Sequence, residues 1–464
     1  MMELGFDTIG NATLIAYDRG PILATDPWIR GAAYFGSWNF SHEIPREQQD
    51  AILKSKYIWF SHGHPDHLNA DSLLALTKSQ ILVPDHAGNR IVSDLQSQGF
   101  EVRVLPDRQW VNLSDRIRVF CIADYNQDAV LLVDLGGTHL LANLNDAADR
   151  GWLNLVNGIV RAYPRSFLLA YAGWGDADMM NFFAEDGTKL LPDAAQKPPV
   201  GEMIAKRTAE VGANAFVPFS SMHRYQRADS VWANEYIPAL SDYETGFASG
   251  AARLLPAYIR YDCISDSFVE LKPKRVTEEI VKPEAFGDNW DDLLDKEDVT
   301  TLEAYVKSVE YLARTLQFVN FRVGSKDYTI DLNPRAGRGI TFAVPRQSLM
   351  TAVRYEVFDD LLIGNFMKTT LHGKWPLTKL YPGFTPFLAK YADNGRAKSL
   401  EELETYFETY RRRAPVEYVR HRIAVKCEDA FRSFLPAESG VYKVARSIYR
   451  TVKSVSLPAV RYSA

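Results

Sequence analysis

The chain has 464 residues, 46 % hydrophobic and 24 % charged, with a formal net charge of −5, a length that calls for two domains or one large domain with an appendage. The composition is that of a folded globular protein and excludes a disordered chain, while no apolar run approaches the roughly 18 residues a membrane helix needs. Three cysteines, Cys121, Cys263 and Cys427, odd in number and far apart, exclude a disulfide framework and a Cys-rich zinc or iron–sulfur motif, and read as buried thiols.

Met1 to Asp7 lacks a basic stretch followed by an apolar run, so no signal peptide is expected and the expected location is cytoplasmic. Short apolar strands open the chain at 2–8, 12–17 and 22–25, separated by Gly, Asn and Asp-Arg-Gly turns in the manner of a β-meander. Helical and strand patterns then alternate: helix 46–55, strand 57–61, helix 71–78, strand 81–83, helix 89–98, strand 101–105. A second meander at 117–123, 129–134 and 139–143 echoes the first, and buried strands follow at 166–171 and 214–219, with a Pro-rich surface loop at 191–200 between them. Strands followed by mixed α/β, twice over, predict two sheets packed face to face with helices outside. Beyond Phe247 the character changes. Leu302, Tyr305, Val306, Val309, Leu312 and Leu316 recur at helical spacing, residues 317–323 and 328–332 flank a Gly-Ser turn as a hairpin, and helices are expected over most of the rest. The division is placed near residue 250, giving units of 1–250 and 251–464.

The chemistry concentrates in Ser61-His62-Gly63-His64-Pro65-Asp66-His67, directly after an apolar strand. His62 and His64 leave the strand end on one side, and Asp66 and His67 sit on the turn that follows. Neutral imidazoles with a carboxylate suit zinc, iron and manganese alike, and the cluster can feed two adjacent ions. Upstream, Trp28, Tyr34, Phe35, Trp38 and Phe40 crowd one Gly-rich loop, which reads equally as a substrate clasp or as a plug packing the loop onto its own domain. His372 and His421 stand alone, so residues 251–464 are expected to add no metal ligand. Residues 410–464 carry 12 Lys and Arg against 4 Asp and Glu; a solvated helical face is the plain reading and an anionic partner the other, with no interleaved aromatics that would point to nucleic acid.

The HxHxDH pattern resembles that of the metallo-β-lactamase superfamily. The resemblance implies an α/β protein whose first 250 residues form an αββα sandwich holding two metal ions, followed by a smaller, mostly helical α+β region. It further implies that Asp26, in Ala24-Thr25-Asp26-Pro27, buttresses the metal loop, that Asp146 bridges the ions, and that His223 is the last ligand. Where hydrolases of that superfamily carry a histidine about 20 residues before the bridging aspartate, this chain has none; Asp124 follows the strand there, with Asp128 as its competitor. The implied ligand set is His62, His64 and Asp124 for one ion and Asp66, His67 and His223 for the other, with Asp146 shared and with Asp66 and Asp26 in catalytic roles.

A carboxylate in place of an imidazole favours iron, with zinc or manganese the alternatives. A more diffuse resemblance, through 128–146, Tyr171-Ala172-Gly173-Trp174-Gly175, Val217-Pro218-Phe219 and Phe358-Asp359-Asp360-Leu361-Leu362-Ile363-Gly364, is to the metallo-β-lactamase domain of the CMP-N-acetylneuraminate hydroxylase family, without the Cys and His pairs of its Rieske centre. It implies an O₂-dependent oxygenase acting on a small molecule and taking electrons from a separate donor or from the substrate; a metal-dependent hydrolase of an ester, amide or phosphodiester is the alternative. Trp28, Tyr34, Phe35, Trp38 and Trp174 are the candidate substrate contacts.

Overall fold

The computed structural model describes residues 2–434 except 172–178, 221, 249, 251 and, between 377 and 396, all but 379, 380, 384, 385 and 388. Trp174 and residues 435–464 of the basic stretch lie outside the described residues. The fold is mixed α/β, with several sheets and helices.

The first meander forms as its alternating pattern requires, with strands Leu4–Ile9, Thr13–Asp18 and Pro21–Thr25. Parallel strands Tyr57–Trp59, Gln80–Pro84 and Val102–Leu105 extend the sheet on one side, and Ile259–Asp262 and Ser267–Glu270 extend it on the other, to eight strands. The second sheet has seven strands and is centred on Ala129–Leu135, His139–Asn145, Arg165–Tyr171 and Ala215–Phe219. Arg253–Leu254 forms its edge. Strands beyond residue 250 therefore complete both sheets, and a division drawn at 250 cuts through them.

Because side chains alternate along a strand, each sheet has two apolar faces to bury. Phe6, Leu14, Leu23, Trp59 and Leu82 of the first sheet share one buried cluster with Val119, Leu131, Val133, Leu141 and Val217 of the second. Alternate residues such as Ile15, Ile58, Val130 and Ala142 instead pack with Ile52, Leu95, Val156 and Ile204 on the helices. At about 1.5–3 kcal/mol for each fully buried Leu, Ile, Val or Phe, this packing holds the sheets together without help from the histidines at their rim.

The C-terminal region departs from the mostly helical expectation by carrying a sheet of five strands, Phe318–Val323, Lys326–Asp331, Arg338–Ala343, Lys368–Gly373 and Phe182–Phe183. The hairpin lies where the Gly-Ser turn predicts it. The helix expected over 302–316 starts earlier, at Lys296, capped by Asp295, whose side chain accepts from the Asp298 amide. It ends at Ser308, and a separate turn follows at Leu312–Thr315. Leu302, Tyr305, Val306, Val309, Leu312 and Leu316 are all buried in one core, so the apolar spacing was informative even though the backbone breaks. Among the described residues no helix is long and apolar enough to cross a membrane.

Candidate metal centre

The site lies beyond the carboxyl ends of parallel strands, where open α/β sheets leave a crevice. Asp26 follows Pro21–Thr25, His62 follows Tyr57–Trp59, Asp146 follows His139–Asn145, and His223 comes shortly after Ala215–Phe219. Three non-glycine residues at these strand ends have left-handed backbones, Asp26 (φ 41°), Asn145 (φ 39°) and Ser220 (φ 61°). Such conformations cost on the order of 1–3 kcal/mol each and persist where the surroundings over-determine them.

Asp26 does two jobs. Its Oδ1 accepts from the Ser61 amide at 2.8 Å, which fixes the first residue of the histidine loop, and its Oδ2 lies 3.1 Å from His67 Nδ1, which turns His67 Nε2 towards Asp146 Oδ2 at 3.1 Å and Asp66 Oδ2 at 3.4 Å. His62 Nδ1 lies 2.9 Å from Ser61 Oγ, and its Nε2 lies 2.8 Å from His64 Nδ1 and 3.9 Å from Asp146 Oδ2. Asp66 accepts from Asn11 Nδ2 at 2.8 Å and from the Tyr34 hydroxyl. Asp146 accepts from the Ser220 hydroxyl.

His62, His67 and Asp146 form one group of donor atoms lying within 4.8 Å of one another, and His64, Asp359 and Asp360 form a second. Ligands about 2.1 Å from a tetrahedral ion stand about 3.4 Å apart, and the separations around Asp146 scatter about that value. His223 adds a further sign: it is buried, and among the described residues neither ring nitrogen has a hydrogen-bond partner. Buried polar atoms are rarely left so, and a cation would satisfy one of them. Residues and geometry therefore fit metal ions.

The electrostatics agree. Burial, reinforced by the neighbouring imidazoles of His67 and His64, holds His62 well below the usual histidine range, and burial pushes His223 down to about 3; both rings are neutral, as ligands must be. For His67, burial is outweighed by the carboxylates of Asp66, Asp146 and Asp26, which raise it well above its ordinary value. Burial raises Asp66, whereas in Asp146 the adjacent His67 prevails over burial and lowers it. Shifts of opposite sign within one cluster are the mark of a functional site.

Asp124 is not brought to this cluster. Its Oδ1 accepts from the Asn126 amide at 2.8 Å and its Oδ2 lies 3.5 Å from Trp152 Nε1, while burial and the charge of Asp128 push it up to about 7. Burial, then the charge of Asp146, raises the Asp128 carboxyl, while His64 lowers it. Asp124 caps the turn instead, with its amide donating to the Asp128 carbonyl.

The aromatic loop is packed rather than open. Trp28, Tyr34 and Trp38 are buried in one cluster with Met179, Tyr225 and Ile363. Trp38 lies flat on His223, ring centres 3.4 Å apart, and strand Trp38–Phe40 pairs with His223–Tyr225. Phe35 is half-buried against Phe366, and Gly36 (φ 82°) leaves no room for a Cβ beside the Phe286 ring. These aromatics brace the donors from behind.

Residues 251–464, expected to add no metal ligand, do send two carboxylates beside the cluster. Asp359 and Asp360, on the short helix Asp359–Ile363, reach it, with Asp359 Oδ2 3.1 Å from His64 Nε2. His372 and His421 do not: His372 bonds Thr341, and His421 lies against Tyr125.

No family model matches the chain. A cytidine monophosphate-N-acetylneuraminic acid hydroxylase from Danio rerio is 29 % identical over 191 residues, 37 % of this chain and 32 % of the relative. The protein of the same name from Asterias rubens is 27 % identical over 137 residues, 28 % of this chain and 21 % of that one. The chain thus spans about a third or less of these relatives' length. Among solved structures, the diiron β-hydroxylase CmlA from Streptomyces venezuelae covers 58 % of this chain and 55 % of its own at 11 % identity and a TM-score of 0.35, and an isothiocyanate hydrolase from Delia radicum gut bacteria covers 55 % and 97 % at 14 % identity and a TM-score of 0.34. The chain is similar in sequence to the named hydroxylases over part of its length, and its own residues supply two candidate metal-binding groups.

Proposed function

We propose that the chain is a dinuclear metal enzyme, a diiron O₂-dependent hydroxylase of a small molecule, built on a metallo-β-lactamase-type αββα sandwich that ends near residue 270 rather than 250. The observation that carries the reading is the grouping of His62, His67 and Asp146, with His64 at 2.8 Å from His62, at one rim of the two sheets. In this reading His62, His64 and Asp128 hold one ion, Asp66, His67 and His223 the other, and Asp146 both. The carboxylate share of that set supports iron. When bound, two iron ions would supply the redox chemistry for activating dioxygen, with electrons from a separate donor or from the substrate. Asp26 orients His67, Tyr34 and Asn11 hold the Asp66 carboxylate in place, and the buried aromatic layer excludes water from behind the donors.

Four imidazoles favour zinc in a second reading, a hydrolase of an ester, amide or phosphodiester. Metal analysis of protein purified without chelators or added metal separates the two. About two irons per chain, a visible ligand-to-metal band and O₂ uptake on adding a reductant support the hydroxylase; two colourless zincs with hydrolysis overturn it, and a metal-free protein that takes up none overturns both. The relatives' name gives the first substrate to offer, cytidine monophosphate-N-acetylneuraminic acid.

A further inference from the structure

We infer that Asp359 is a positioning residue for His64: it fixes which ring nitrogen carries the proton, so that Nδ1 is left facing the metal centre, and it thereby links metal affinity to the docking of the C-terminal region. The inference rests on reading the cluster as a metal centre.

His64 Nδ1 lies 2.8 Å from His62 Nε2, and that nitrogen in turn is 3.9 Å from Asp146, so Nδ1 is the His64 atom on the side of the other donors. Two ring nitrogens at hydrogen-bond distance share one proton in the ion-free chain; a cation can take its place once that proton moves to His62 Nδ1, which lies 2.9 Å from Ser61 Oγ. Nε2 points the other way, 3.1 Å from Asp359 Oδ2. A neutral imidazole has one N–H. If Nε2–H donates to Asp359, Nδ1 keeps its lone pair for the ion; a carboxylate on the far nitrogen orients a ligating ring and raises its basicity. Asp26 Oδ2 approaches His67 Nδ1 to the same 3.1 Å, without hydrogen-bond geometry.

What sets Asp359 apart is its origin, 295 residues from His64 in sequence. Its side chain is only 4 % exposed, and it is held from both ends. Phe358 belongs to the C-terminal core and Ile363 to the aromatic cluster behind His223. The Gly364 carbonyl accepts from the Ser37 hydroxyl, Asn365 Nδ2 donates to the Tyr225 hydroxyl at 2.7 Å, and the Asn365 carbonyl accepts from Trp232 Nε1 at 3.2 Å. The carboxylate is therefore placed by the joint between the two regions and cannot follow a wandering ring. The same atoms would serve equally in a separate ion site of His64, Asp359 and Asp360, but Nε2 cannot both donate to Asp359 and ligate beside it.

The test uses the full chain, ion-free, with ¹⁵N-labelled histidine, and zinc as the probe. Long-range proton–nitrogen NMR above pH 7 is expected to show His64 protonated at Nε2 in the wild type and a mixture of tautomers in Asp359→Ala, with zinc affinity reduced roughly 10- to 100-fold. Asp359→Asn, whose amide oxygen still accepts, is expected to fall between, and it keeps the comparison open should the Ala variant not fold. His64 protonated at Nδ1 in the wild type overturns the inference, as does an unchanged tautomer and affinity in both variants. Loss of one whole zinc equivalent with the tautomer unchanged overturns it too, by making Asp359 a ligand. A wild type that binds no zinc or iron refutes the metal reading alone, and the tautomer comparison still decides the role of Asp359.

Discussion

Arg227 is the residue whose replacement should cost most for reasons visible in the structure. It is completely buried, and its guanidinium joins three segments: Nη1 lies 2.6 Å from Asp288 Oδ2 and donates to the Phe35 carbonyl at 2.9 Å, Nε donates to Asp229 Oδ1 at 2.8 Å, and the group sits 3.9 Å from the centre of the Phe366 ring. Arg227→Met keeps most of the volume and removes the charge. Asp229 is 17 % exposed, so water relieves it, but Asp288 is fully buried and, among the described residues, retains only the Ser348 amide and hydroxyl as donors. Removing one partner of such a pair costs about 3–5 kcal/mol, most of it the uncompensated charge left behind. Adding Asp288→Asn should then recover more than half of the loss. The assay is urea unfolding of wild type, single and double variants, compared by midpoint at equal slope. A single variant within about 1 kcal/mol of wild type, or a double variant less stable than the single, would refute the reasoning. Because Arg227 grips both the aromatic loop and the segment after Asp359, the single variant should also loosen zinc.

Three further outcomes are expected. His64→Ala and His67→Ala should each lose bound metal while keeping the circular dichroism of the wild type, since the apolar layers do not involve them; two metal equivalents retained in both would refute the centre. Asp128→Ala should lower the metal content and the iron-to-zinc ratio, whereas Asp124→Asn should change neither, and elemental analysis of proteins purified side by side reads the contrast; the reverse pattern would restore Asp124. In chelated protein, burial holds His86 down to about 4 from 6.5, so the unfolded chain binds the extra proton between those values and stability falls as pH drops from 6.5 towards 4, by on the order of 3 kcal/mol for this residue. His86→Leu should flatten that acid limb by up to one proton per molecule; an unaltered pH slope would show that His86 titrates normally.

Much of the fold was legible because its signals are local. Alternating apolar strands, turn residues between them and the helical spacing of Leu302 to Leu316 are properties of neighbours in sequence, and most strands of the two large sheets appear within a few residues of their predicted places, while Arg338–Ala343 and Lys368–Gly373 are strands where helices were expected. The break at 309–311 was not legible: Val309 and Leu312 are apolar in either geometry, and packing chose two short helices over one long one. The boundary near 250 followed a change in composition, which does not report that Ile259–Asp262 and Ser267–Glu270 return to the edge of the first sheet.

At the site, the sequence by itself determined His62, His64, Asp66 and His67, because four donors within six residues behind a strand end can hardly avoid one another. The resemblance pointed to Asp26, Asp146 and His223; Asp26 and Asp146 each lie 3.1 Å from His67, while His223 stacks on Trp38. What only the tertiary structure decided is which other carboxylates join them. Asp124 and Asp128 are separated by one turn, and the direction in which a turn presents its side chains depends on the backbone rather than on the residue names. Asp359 and Asp360 carry no local mark at all; their place beside His64 exists only because the C-terminal region docks on the aromatic loop, and a contact between residues so distant in sequence is fixed by packing across the whole molecule.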